Sequence, residues 1–141
     1  MPVTRAGLAG PLMAYQAAGT GKQLGKRAAG RFGEDLAARW YEERGFEVVA
    51  RNWRCALGEL DVVVRKGGLV VFCEVKARSA DRYGLPAEAV GPRKQLRARR
   101  LAAAWFAAEQ ARGRAAARGG PVRFDVASVL SGKMEVIEDA F

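Results

Sequence analysis

Apolar positions are most concentrated over residues 58–78, GELDVVVRKGGLVVFCEVKAR. Residues 59–65 and 69–76 are rich in Val, Leu and Phe and flank Gly67-Gly68, a two-residue connection that predicts a β-hairpin. Upstream, Phe32, Leu36 and Trp40 recur at i, i+4 and i+8. This predicts a helix over 26–44 with that stripe as its apolar face and Gly45 as its stop. Glu34 falls on the opposite side, beside Ala37 and Tyr41, where a carboxylate is ordinarily solvated. GFEVVARNWR (45–54) predicts a strand from about Glu47 to Ala50 that runs into an Asn-Trp-Arg segment. Trp53 reads as core in preference to a base-stacking residue, while Arg51 and Arg54 either reach phosphates or face water. SADRYGLPAEAVG (79–91) predicts a loop by its Gly and Pro content. A second helix is expected over 92–112, with Leu101, Trp105 and Ala108 on its apolar side. VRFDVASVL (122–130) and KMEVIEDAF (133–141) predict two closing strands, the first with Arg123, Asp125 and Ala127 alternating against Val122, Phe124 and Val126. The order helix, three strands, helix, two strands predicts an α/β fold, a mixed β-sheet flanked by helices.

The hairpin register carries the candidate chemistry. A two-residue loop pairs Lys66 with Leu69, so Asp61 comes to lie opposite Glu74 and Glu59 opposite Lys76. Leu60, Val62, Val64, Leu69, Val71, Cys73 and Val75 then share one apolar face. The other face carries Val63, Val70 and Phe72 near the turn and Glu59, Asp61, Glu74 and Lys76 at the far end. Directly opposed residues have Cβ atoms roughly 4.5–5.5 Å apart, so Asp61 and Glu74 repel unless a cation lies between them. Mg²⁺ accepts one or two carboxylates and keeps several waters, and a lysine beside the pair can orient or help deprotonate such a water. A three- or five-residue loop would shift this register. The competing reading is that strand ends are solvated and charged, with Glu59–Lys76 an ordinary cross-strand ion pair.

Composition narrows the partner. The chain has 141 residues and a net charge of +9, with no histidine. That length suits one domain with a true core. The absence of histidine excludes Ser-His-Asp and Cys-His catalysis and His-ligated zinc. The basic excess suits a polyanion. It concentrates between Arg93 and Arg118, where eight Lys or Arg accompany one acid, Glu109, a local net of +7. Arg93, Arg97 and Arg100 share a helical face, which reads either as solvated surface or as a phosphate-contacting stripe. Cys55 and Cys73 lack metal-ligand spacing and fit a reducing compartment. No apolar run approaches the roughly 20 residues that span a bilayer, so no membrane association is expected. Residues 1–24 are Gly- and Ala-rich. Their apolar run is broken at Gly10-Pro11 with only Arg5 before it, so a disordered extension, or a start upstream of a true start near Met13, is expected in preference to a signal peptide.

GRFGEDLAARWYEERGFEVVARNWR, GELDVVV, VVFCEVKAR, GLPAEAV, and RFDVASV with a final AF together resemble the YraN family of small bacterial proteins. The resemblance covers residues 25–141 and sets 1–24 apart. That family is described as predicted endonucleases distantly related to archaeal Holliday junction resolvases. The resemblance implies a restriction-endonuclease-like core whose D…(D/E)-x-K signature falls on Asp61, Glu74 and Lys76. It also places the family's G-E-x-x-A helix motif on Gly33, Glu34 and Ala37, making Glu34 a third candidate metal ligand.

These readings combine into an expected cytoplasmic, metal-dependent endonuclease that hydrolyses phosphodiester bonds, with DNA, branched DNA by analogy, as the expected partner. Asp61 and Glu74, completed by Glu34, would hold Mg²⁺ (or Mn²⁺). Lys76 would orient or activate the attacking water, and Glu59 would hold Lys76. Arg93, Lys94, Arg97 and Arg100 would position the nucleic-acid backbone. Junction cleavage would suit a two-fold homodimer. The rival is a non-catalytic nucleic-acid-binding or adaptor module that retains the nuclease fold. The basic helix supports both, but a pure binder gains nothing from opposed carboxylates that weaken phosphate binding when no metal is present.

Overall fold

The Gly67-Gly68 turn joins two strands, β2 (Gly58–Lys66) and β3 (Leu69–Arg78), as the two apolar runs around it predict. Lys66 pairs with Leu69 and the antiparallel register runs to Val62–Cys73. Gly67 takes a φ of +58°, which the first central position of a II′ turn demands and a residue with a Cβ resists. The other elements are α1 (Gly21–Glu43), β1 (Glu47–Cys55), α2 (Pro92–Ala111), β4 (Val122–Leu130) and β5 (Lys133–Ile137). This computed structural model describes residues 21–78, 91–114 and 120–141. Residues 1–20, and residues 79–90 with the GLPAEAV motif, lie outside the described residues.

The strands form one mixed sheet in the order β1-β2-β3-β4-β5. Only β3 and β4 run parallel. A parallel pair needs a long crossover, and α2 lies on it. On one face Ala37 and Tyr41 of α1 pack against Val62, Val64, Val71, Cys73 and Ala127. On the other, Leu101 and Trp105 of α2 pack against Val63, Val70, Phe72 and Phe124. Strands covered on both faces read as near-continuous apolar runs, as β3 does from Leu69 to Cys73. No helix among the described residues is long and apolar enough to cross a membrane.

The structure corrects three expectations. The stripe Phe32, Leu36, Trp40 is not the buried side of α1: Phe32 is 47% exposed. The buried side is Gly33, Ala37, Ala38 and Tyr41. Small residues let the helix backbone approach the sheet, and a Cβ on Gly33 would meet Val75 Cγ1 at 2.9 Å. Trp40 instead stands edge-on to Tyr41 beneath the Arg44 guanidinium. Leu60, expected to share a face with Val62, packs on the α2 side with Val63 and Phe72, so strict alternation breaks across Asp61. The first strand, expected to end near Ala50, continues to Cys55 past an irregularity between Val48 and Ala50, and Trp53 packs against the α2-side core.

Candidate active site

The hairpin ladder ends at Val62–Cys73, one pair short of the expected Asp61–Glu74 pairing. Beyond that point the two strands follow different neighbours. Leu60, Glu59 and Gly58 stay paired to β1, while Glu74, Val75 and Lys76 pair with Val126, Ala127 and Ser128 of β4. The sheet therefore forks. Asp61 Oδ2 accepts a hydrogen bond from Val75 N at 2.9 Å, so the side chain takes the place of the missing backbone partner. This holds Asp61 at the root of a cleft of about 190 Å³, lined also by Glu59, Glu74, Lys94 and Arg97.

Electrostatics at the fork are strained in one direction. Burial pushes the Asp61 carboxyl up to about 7; the Val75 N–H opposes this, but the charges of Glu34, Glu59 and Glu74 add to it. Glu74 faces two lysine amines, Lys76 Nζ at 3.0 Å and Lys94 Nζ at 3.9 Å from Oε2. Burial works against the Lys76 charge. Hydrogen bonding to Lys94 and Glu74, with the charges of Glu74 and Asp61, outweighs it and holds its pKa above the ordinary lysine value. Lys94 is correspondingly lowered by the neighbouring Lys76. Glu59 does not serve Lys76 as expected: it lies across β1 from Arg54, at 3.4 Å.

Glu34 is not solvated. Its side chain is 12% exposed, and burial raises its pKa against the opposing effects of Asn52 and Arg51. Asn52 Nδ2 donates to Glu34 Oε1 at 2.9 Å. Asn52 has a φ of +52° in the middle of β1, a conformation that asparagine tolerates better than most residues. Arg51, expected to reach phosphate or water, instead donates to Asp35 Oδ1 at 2.6 Å and lies 3.9 Å from Glu34. Its buried Nε has no hydrogen-bond partner. Asn52, Arg51 and Asp35 thus fix Glu34 on the side of α1 that faces the fork. None of the three was singled out from sequence for this role, and the signal that could have marked them is a polar Arg-Asn pair interrupting an apolar strand.

A second unread group is Asp125, 1% exposed. Arg123 donates to it through Nε and Nη2, both at 2.9 Å. Tyr41 Oη and Asp139 N donate as well. Burial pushes the Tyr41 hydroxyl up, so it stays a donor and ties α1 to β4 beneath the fork. Cys55 and Cys73 are free thiols, and burial likewise raises Cys73.

Of the four basic residues expected to contact a backbone, Lys94 and Arg97 line the cleft. Arg93 and Arg100 are exposed on the same helix. Among the described residues no three His, Cys, Asp or Glu side chains are grouped to hold a metal ion. The donor set nevertheless suits a hard divalent cation coordinated mainly by water. Asp61 and Glu74 both line the cleft, and burial together with the charges of Glu34, Glu59 and Glu74 raises the Asp61 carboxyl, a penalty that a bound cation would relieve. Glu34 enters through its charge and is already bonded to Asn52.

The sequence model of the uncharacterised protein family UPF0102 matches residues 33–129, a span from the glycine of the α1 motif to the last residue but one of β4. A UPF0102 protein of Frankia casuarinae is 61% identical over 82 residues, covering 58% of this chain and 70% of its own. One from Beutenbergia cavernae is 51% identical over 105 residues, covering 74% and 84%. Another from Acidothermus cellulolyticus is 44% identical over 131 residues, covering 86% and 98%. The chain belongs to the UPF0102 family, the YraN family whose motifs it carries.

Proposed function

We propose that this protein is a metal-dependent endonuclease acting in the cytoplasm. The observation that carries the reading is the fork: Asp61 and Glu74 share a cleft with Lys94 and Arg97 of the basic helix α2, and Lys76 pairs with Glu74 at 3.0 Å. Asp61 and Glu74 would hold a Mg²⁺ or Mn²⁺ ion, with Glu34 adding negative charge from α1. When bound, that ion would supply a water of lowered pKa and would stabilise charge on the phosphate oxygens. Lys76, whose pKa is raised by hydrogen bonding to Lys94 and Glu74 and by the charges of Glu74 and Asp61, acts as a hydrogen-bond donor that orients the water or a phosphate oxygen. Arg93, Lys94, Arg97 and Arg100 hold the backbone. The first turn of α2 contains no acid, so the helix dipole and these side chains attract phosphate together. DNA with branches or unpaired stretches is the expected substrate, and a two-fold dimer would cut paired strands.

One observation favours a second reading, a binding module without turnover: the two lysines that face Glu74 already balance its charge without a metal. Cleavage of single-stranded, duplex, flapped and four-way-junction DNA and of RNA, in Mg²⁺, Mn²⁺ or EDTA, separates the two. Metal-dependent products from the wild type but not from Glu74→Ala support the nuclease. Binding without cleavage under every metal supports the module, and equal cleavage by both proteins overturns the assignment of the site.

A further inference from the structure

Three rings run from the core to the wall of the same cleft. Phe72 and Phe124 stack with centroids 5.6 Å apart and planes 24° from parallel. Phe124 and Phe141 continue the column at 5.1 Å and 21°. The inner two rings are buried and Phe141 is only partly buried, so the column ends at a residue that water still reaches. All three line the cleft that holds Asp61, Glu74, Lys94 and Arg97. The chain leading to the last ring is tied to β4: Ala140 N donates to Phe124 O at 2.7 Å and Asp139 N to Asp125 Oδ1 at 2.9 Å. The Arg99 guanidinium lies 5.0 Å from the Phe124 centroid and 5.6 Å from that of Phe141. A fixed aromatic wall beside phosphate-attracting cations is the combination that binds single-stranded nucleic acid, where backbone charge and base stacking act together.

We propose that Phe141 is a stacking platform for an unpaired nucleobase, supported by Phe124 and Arg99, so that the cleft takes nucleic acid with single-stranded stretches in preference to continuous duplex. A base inside an intact duplex has both faces covered by its neighbours and cannot extend the ring column. This rests on the nucleic-acid part of the proposed function and is independent of turnover.

The test measures binding in EDTA of a fluorescent single-stranded DNA oligonucleotide and of the same sequence fully paired. It compares wild type with Phe141→Ala, Phe141→Leu and Phe141→Trp, each checked for folding by circular dichroism. Phe141→Leu retains an apolar cover for Phe124 where Phe141→Ala fails to fold. The Ala or Leu change should weaken single-strand binding roughly tenfold and leave duplex binding and its salt slope unchanged, while Trp retains wild-type binding. A 2-aminopurine in the single strand should be quenched by wild type and Trp but not by Leu. Equal losses on both substrates, or no loss on the single strand, would overturn the platform while the nucleic-acid reading stands. A wild type that binds neither form would overturn both. Selective loss in a protein that cleaves nothing in Mg²⁺ would keep the platform and remove the nuclease.

Discussion

At the scale of the residue, Asp61 is held where its charge is least welcome. Its folded pKa, pushed up to about 7, lies above its ordinary value of 3.8. The folded state therefore binds this proton more tightly than the unfolded chain, and stability falls as pH rises from about 4 to about 7. In metal-free protein, Asp61→Asn should keep an acceptor for Val75 N and remove that penalty. It should stabilise by on the order of 2 kcal/mol above pH 7, with the gap closing toward pH 4, as read by urea unfolding across pH. Asp61→Ala is the poorer probe, because it leaves a backbone N–H unpaired. Asn52 gives the opposite sign: Asn52→Ala loses the bond to Glu34 and puts a less tolerant residue at φ +52°. It should destabilise by on the order of 2 kcal/mol in the same assay. The two-residue turn made the hairpin register legible as far as Val62–Cys73, but the pairing of Asp61 with Glu74 and of Glu59 with Lys76 that extends it does not form. Asp35, Arg51, Asn52 and Asp125 act through contacts between elements far apart in sequence, which periodicity within one element does not encode.

At the scale of the element, α1 shows why its buried side was misread. Amphipathic patterning weighs apolar bulk, and the bulky stripe Phe32, Leu36, Trp40 outscored Gly33, Ala37 and Ala38, which are buried because they are small. Gly33→Val should force α1 off Val75 and Val129 and destabilise by on the order of 2 kcal/mol. Gly30→Ala, with nothing within 4 Å of the added carbon, should instead stabilise by about 1 kcal/mol. Thermal unfolding of the two variants side by side checks the pair, and equal effects would mean that α1 does not pack through Gly33. The α2 stripe makes a separate prediction. Arg97→Glu combined with Arg100→Glu should weaken DNA binding and reduce the slope of log K against log salt by about 2. An unchanged slope would place the binding surface elsewhere.

At the scale of the whole molecule, the element order and the mixed sheet followed from the sequence, since hairpin, helices and closing strands each carry a local signature. The fork did not. Extending the hairpin register paired Asp61 with Glu74 and Glu59 with Lys76, but β2 remains with β1 and β3 passes to β4. That competition between neighbours is a property of the assembled sheet, and it opens the cleft. The central claim is that this cleft holds a divalent cation between Asp61 and Glu74. Its most direct test is calorimetric titration of EDTA-treated wild type, Asp61→Asn and Glu74→Gln with Mn²⁺, which suits carboxylate and water ligands as Mg²⁺ does. The account predicts saturable binding to one site in the wild type and affinity weaker by about tenfold or more in each variant. No binding by the wild type, or equal binding by all three proteins, would contradict it.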